Sequence, residues 1–324
     1  MFQLVKIVLY VTIPFFVGWS TYQYLDELFF QPLEPNSERV EVIEIHPEDT
    51  SERICELLVE RQIIKTKQSL CLHVMLRGRA KSFVAGEHEV SPSLLPTQLL
   101  DKLQSGERLL RSVVIERGSS IKEIDKALFD ENLIEQFAFE KMARNADLLA
   151  SAGIAGESFE GYLGAGQLDV YKPAEVQSIV WELRLRSESI WEPRYNEQLD
   201  YFRMSRHELL TIASLIQKVT SVPSERRMVS AVLHNRLKNG LKLESREALE
   251  YGIPEPELLT FAQMKAVAGP YNTFMNYGLP PGPITNPDKD AIEAALSPMN
   301  VEHIAYEKSA SGKIVFSSVE TADE

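Results

Sequence analysis

The side chains best suited to chemistry lie in the carboxy-terminal half of this sequence. Gln217 shares one helix face with Leu210 and Ala213, in the run TIASLIQKVT over residues 211–220. Its carboxamide offers one acceptor oxygen and two N–H donors but no proton that can be given up near neutral pH. Such a group can bind yet cannot shuttle a proton, and at the edge of a core it serves as a hydrogen-bonded structural residue. Asn235 and Arg236 follow in a second helical run, where Arg236 can meet a ligand carboxylate or pair internally with Glu225 or Glu244. Tyr271, Phe274 and Tyr277 lie within a stretch dense in Gly, Pro and Asn, residues 269–287. Rings in that setting either stack on a ligand or anchor the loop to the core.

Other chemistries lack their signatures. The two cysteines, Cys55 and Cys71, come without a CxxC or a Cys/His cluster of metal-ligand spacing, and the six histidines are scattered, so no metal is expected. Both thiols sit among apolar residues, as buried free cysteines do, although an oxidising compartment could pair them if their backbones approach. Residues 161–167 hold three glycines without the spacing of a phosphate-cradling loop, so a turn is expected there and no cofactor is implied. A net charge of -13 with no long basic run excludes nucleic acid as a partner.

The elements that must position these residues follow from pattern. At 324 residues, with 44% hydrophobic and 25% charged side chains, the chain can fold as about two globular domains plus a targeting segment. Residues 7–24 are free of charge and near the minimum length for a bilayer span, with Lys6 before them and Asp26 and Glu27 after. No small-x-small cleavage site follows, so a retained single anchor with its amino terminus inside is expected. Residues 30–39 read as a linker. Residues 42–64 then recur at 112–134, each copy a strand, a turn and a helix, with Thr50 and Ser120 at the helix starts. Between the copies, residues 84–104 predict a strand, a turn and a helix closed by Gly106. A helix over 174–190 follows, and Ser205 with Glu208 forms a capping box for a helix through Thr220. After Pro223 a second helix carries Met228, Val229, Val232, Leu233, Arg236 and Leu237 on one stripe and ends at Gly240. A last helix spans 288–296, and residues 302–307 and 313–317 alternate as a hairpin.

This order of elements, with specific residues, resembles the MltG (YceG-like) endolytic murein transglycosylase family. TIASLIQKVT followed by SERRMVSAVLHNRLKNGLKL is similar to the family's Ala-Ser-Ile-Ile-Glu-Lys-Glu helix and its Glu-Arg, Val and Asn-Arg-Leu positions. YNTF, GLPPGPITNP and AIEAALSP match its Tyr-Asn-Thr-Tyr, Gly-Leu-Pro-Pro-Gly-Pro-Ile and Ala-Ala-Leu-x-Pro signatures. The resemblance implies an α+β fold: an anchor over 1–29, a linker over 30–39, a LysM-like region with the repeat over 40–140, and a transglycosylase-type domain over 141–324. It also implies a single-pass protein of the bacterial inner membrane, its bulk in the periplasm, whose partners are peptidoglycan glycan strands and proteins of wall synthesis or division. The strand-helix repeats could bind glycan as LysM modules do, and packing explains them equally well.

The implied chemistry is cleavage of the glycan after N-acetylmuramic acid, leaving a 1,6-anhydro sugar. One group must protonate the leaving oxygen and then take a proton from the attacking hydroxyl. In the family that group is the first Glu of the Glu-Lys-Glu helix, and the matching residue here is Gln217. Val219 stands at the second Glu, Arg246 at the Asp of a Gln-Thr-Asp-Pro-Thr loop, and Ile314 at the His of a His-x-Phe motif. Asn235, Arg236, Tyr271, Asn272 and Thr273 remain as candidate substrate-binding residues. General acid catalysis contributes about 10²- to 10⁴-fold, so an amide at 217 implies lost or reduced activity unless another acid acts. Glu244, at the Gln of the downstream loop, is the candidate substitute, or else a solvated carboxylate beside Lys242 and Arg246.

Overall fold

The structure, a computed structural model, describes residues 12–76, 83–253, 259–309 and 313–319. The chain divides into two compact units, residues 1–111 with 170–173 and residues 112–169 with 174–324. This division falls between the two copies of the repeat.

The first unit opens on helix α1 (Ile13–Phe29), whose Phe15, Phe16, Val17, Trp19 and Tyr22 are exposed. No helix among the described residues is long and apolar enough to cross a membrane; residues 7–11 of the expected span lie outside the described residues. Strand β1 (Glu41–Ile45) leads into α2 (Ser51–Glu60) and α3 (Lys67–Leu76), followed by β2 (Gly86–Val90) and α4 (Pro96–Ser105). β1 and β2 pair antiparallel, with Ile43 opposite His88. Ile43, Ile45, Ile54, Leu58, Leu70, Leu99 and Leu103 close one core over this hairpin. Cys55 and Cys71 belong to the same cluster as free thiols, and burial together with the hydrogen bond to Cys71 pushes the Cys55 thiol well up.

The repeat is real at the level of local geometry. Thr50 caps α2 by accepting from the Arg53 N–H, and Ser120 caps α5 (Ile121–Asp130) by accepting from the Glu123 N–H. Both helices end alike: Gln62 and Asn132 take left-handed backbone (φ 56° and 54°), and the next residues, Ile63 and Leu133, donate back to Leu58 and Leu128. The same spacing of caps and apolar residues therefore makes the same unit twice.

The second unit carries the end of β3 (Leu110–Ile115), then α5, α6 (Ala138–Met142), α7 (Ala146–Ser151) and the start of β4 (Gly166–Tyr171), β3 and β4 forming a two-stranded sheet. Helices α8 (Val176–Ser189), α9 (Arg194–Phe202), α10 (Arg206–Val219), α11 (Pro223–Lys238), α12 (Arg246–Gly252), α13 (Phe261–Ala266) and α14 (Lys289–Leu296) follow. The hairpin of β5 (Ala305–Lys308) and β6 (Ile314–Ser317) comes last. Helix α10 is central: every residue from 209 to 216 is buried, and it packs against α11, α12 and α14. An amphipathic helix has one apolar stripe, whereas one buried all round must be enclosed by other elements. The turn expected over 161–167 gives way to β4 at Gly166, because Gln167, Leu168 and Asp169 alternate out, in and out. Gly161 itself (φ 87°) lies so close to Pro283 that a Cβ there would collide with the proline ring.

The Ser120 cap is reciprocal, since the Ser120 N–H also donates to the Glu123 carboxylate at 2.6 Å. Ser120→Ala should therefore lower unfolding free energy by about 1 kcal/mol and Ser120→Asp by less. Urea denaturation checks this; equal stability of the alanine variant would show the cap to be idle.

Candidate functional site

Gln217 sits half-buried in the last turn of α10, immediately after the enclosed run. Its Oε1 accepts from Arg226 Nη2 and from the Asp288 backbone N–H, each at 3.3 Å. Arg226 is only 3% exposed, and its charge is met by Asp288 Oδ1 at 2.7 Å and by the Thr220 carbonyl at 3.1 Å. Asp288 in turn caps α14 by accepting from Ala291. On its other side the Gln217 amide lies against Gly118, where a Cβ would come within 2.8 Å of Nε2; that residue also has φ 76°, which favours glycine. Gly118 and Asp288, the two residues flanking the amide, also line a cavity of about 330 Å³ with Ser119, Gly164, Arg186 and Asn286.

The other sequence-derived candidates are spread over separate places. Asn235 Nδ2 donates to the Val301 and His303 carbonyls at 2.8 and 2.9 Å, tying α11 to the segment before β5. Arg236 is buried and donates to the carbonyls of Lys242 and Ile304 and to Glu244 Oε2, the last at 2.6 Å. Of the two internal partners open to it, Glu225 and Glu244, Arg236 meets Glu244. Both residues line a cavity of about 740 Å³ with Arg246, Glu247 and Tyr306, and neither Gln217 nor Tyr271 is among its lining residues. Asn272 and Thr273 are each 1% exposed. Asn272 bonds to the Met264 and Val267 carbonyls, and Thr273 Oγ1 accepts from Ser245 N. These bonds position the loop and leave little of either side chain for a ligand.

Tyr271 leads to a residue that sequence reasoning missed. Its ring lies 5.0 Å from that of Tyr251, and both line a cavity of about 460 Å³ with Lys122, Arg144, Glu157, Glu160 and His207. Glu160 is 2% exposed and accepts from the Ile121 N–H, Asn286 Nδ2 and the Tyr251 hydroxyl at 3.0 to 3.2 Å. Burial pushes its carboxyl up to about 7, against the pull of the Ile121 N–H, the Tyr251 hydroxyl and the Arg144 charge. The available signal was an acid, Glu160, set among Phe159, Gly161, Tyr162 and Leu163, which is an apolar setting for a carboxylate. Among the described residues no group of three or more His, Cys, Asp or Glu could hold a metal ion.

With a folded value near 7 against an ordinary 4.5, the neutral form of Glu160 is favoured by folding. Its contribution is complete below about pH 4.5 and is lost as pH rises through 7, a change on the order of 3 kcal/mol. Thermal melts from pH 4 to 8 should therefore show the parent protein losing stability relative to Glu160→Gln as pH rises. Parallel profiles would mean that folding leaves the Glu160 carboxyl at its ordinary value.

With this geometry in place, the comparisons with known proteins are specific. The model of the YceG-like family matches residues 43–322. The endolytic murein transglycosylase of Bacillus subtilis (strain 168) is 24% identical over 302 residues, covering 88% of this chain and 83% of that protein. The endolytic murein transglycosylase of Streptococcus pneumoniae serotype 2 (strain D39) is 25% identical over 321 residues, and the chain spans 58% of its length. A crystal structure of a YceG-like protein from Listeria monocytogenes shares the fold, with a TM-score of 0.58 at 24% identity over 88% of this chain and 98% of that one.

Proposed function

The chain belongs to the YceG-like family, and on that premise we propose that it engages peptidoglycan glycan strands with lost or reduced lytic transglycosylase activity. The relatives named endolytic murein transglycosylases supply the substrate class. One observation carries the loss of activity: the side chain at the acid position is an amide whose oxygen already accepts from Arg226 and Asp288. Cleavage of a glycosidic bond requires a transferable proton at the leaving oxygen, and a carboxamide has none.

Glu160 favours a second reading, cleavage by a different acid, because a carboxyl near 7 is suited to proton transfer at neutral pH. Glu244 supports it less, since its Oε2 is bonded to the buried Arg236. Digestion of purified sacculi with the full chain, Gln217→Glu and Glu160→Gln separates the readings. The first reading expects no anhydromuramic ends from the parent and their appearance, by about 10² or more, in Gln217→Glu. In that variant two carboxylates would share one guanidinium, and like-charge proximity raises the affinity of one for a proton. Anhydro products from the parent that disappear in Glu160→Gln would establish the second reading.

We also propose that the amino-terminal segment anchors the chain in the bacterial inner membrane with its bulk in the periplasm. Support comes from the charge-free run of residues 7–24 and from the exposed aromatic side chains of α1. The full chain should stay with carbonate-washed membranes and be digested by protease in spheroplasts, and a version lacking residues 1–29 should wash free. Recovery of the full chain in the soluble fraction would reverse this assignment.

A further inference from the structure

We propose that the cavity bordered by Lys122, Arg144, Tyr251 and Tyr271 is a sugar subsite, separate from position 217, that holds one pyranose ring of a glycan strand. This rests on the glycan-binding reading and assigns it a place. At about 460 Å³ the cavity falls in the range of small-ligand sites.

Its apolar wall is rigid. Tyr271 packs so closely on Gly252 that a Cβ there would come within 2.8 Å of the Tyr271 Cβ. Tyr251 is pinned through its hydroxyl to Glu160 at 3.1 Å. Rings fixed before binding lose little rotamer freedom when a ligand arrives, and aromatic faces suit the C–H face of a pyranose.

The polar wall selects the ligand class. Lys122 and Arg144 line the same space as Glu157 and Glu160, so basic and acidic groups both border it. An anion would meet two carboxyl groups there and a cation two basic groups. A neutral ring bearing hydroxyls, each both donor and acceptor, suits Lys122, Arg144 and Glu157, while Glu160 is already held by Ile121, Tyr251 and Asn286. The Lys122 ammonium lies 5.7 Å from the Tyr251 ring centre, within reach of a hydroxyl on a sugar stacked there. Asn286 lines the cavity beside Gln217 and donates to Glu160, which lines this one. One hydrogen bond, from Asn286 to Glu160, thus links a residue lining each cavity.

The test is calorimetric titration of the detergent-solubilised full chain with peptide-free glycan strands and with chitotetraose, a neutral N-acetylglucosamine oligomer. Both should bind. The double variant Lys122→Ala/Arg144→Ala, altered at exposed side chains and so expected to fold, should weaken each by roughly tenfold or more, as loss of hydrogen bonds from charged groups predicts. Tyr271→Phe should bind like the parent, because only the ring face is used, and Tyr271→Ala should lose affinity about as much as the double variant. If the parent binds and the double variant binds equally well, the subsite is wrong while the glycan reading stands. If the parent binds neither sugar, the glycan reading fails and the subsite fails with it.

Discussion

A buried guanidinium organises the centre of the second unit. Arg226 is 3% exposed, and an isolated charge at that depth would cost several kcal/mol. The chain meets it with one carboxylate, Asp288, and with oxygens of Thr220 and Gln217. Those partners come from the ends of α10 and the start of α14, so satisfying one charge fixes where these helices approach. What the network asks of residue 217 is an acceptor oxygen, and amide and carboxylate both have one. Structure and proton transfer are therefore separable at this position, and an amide can stand there without loosening the fold.

A second network stands beside the first. Asn286 Oδ1 accepts from the N–H groups of Gly161 and Leu163, and its amide donates to Ser119 and Glu160. The Pro-rich segment before it is thereby fastened to the turn over residues 118–121, where Gly118 meets Gln217 and the Ile121 N–H meets Glu160. That turn belongs to the second copy of the repeat. In the first copy the position equivalent to Gly118 is Glu48, an exposed side chain. Both copies fold alike because caps and apolar spacing coincide, but only the second has the glycine that admits Gln217 at close range.

Local signals were legible where the physics is local. The caps at Thr50, Ser120 and Ser205, the left-handed stop at Gly106, the stripe of α11 and the closing hairpin all depend on residues within a few positions of one another. Helices α6, α7, α12 and α13 span seven residues or fewer, too short to display a helical period. The pairing of β1 with β2 could not be read, since strand partners are set by packing over a distance. Glu160 was hidden for the same reason, its partners lying at Ile121, Tyr251 and Asn286. For Arg236 the sequence offered a ligand, Glu225 or Glu244, and that Glu244 is its internal partner needed the fold around Lys242 and Ile304.

Position 217 faces Arg226 and Glu244 faces Arg236, both as direct hydrogen-bond partners. Glu160 is bonded only to uncharged donors, a backbone amide, an amide side chain and a phenol, so burial dominates and the proton is held to about 7. Yet those same donors occupy its oxygens, and a leaving oxygen would have to displace one of them to be protonated. An acid that must first break its own hydrogen bonds transfers a proton less readily than one aimed into open space. Glu160 is thus better placed to hold Tyr251 in the cavity wall than to protonate a ligand there.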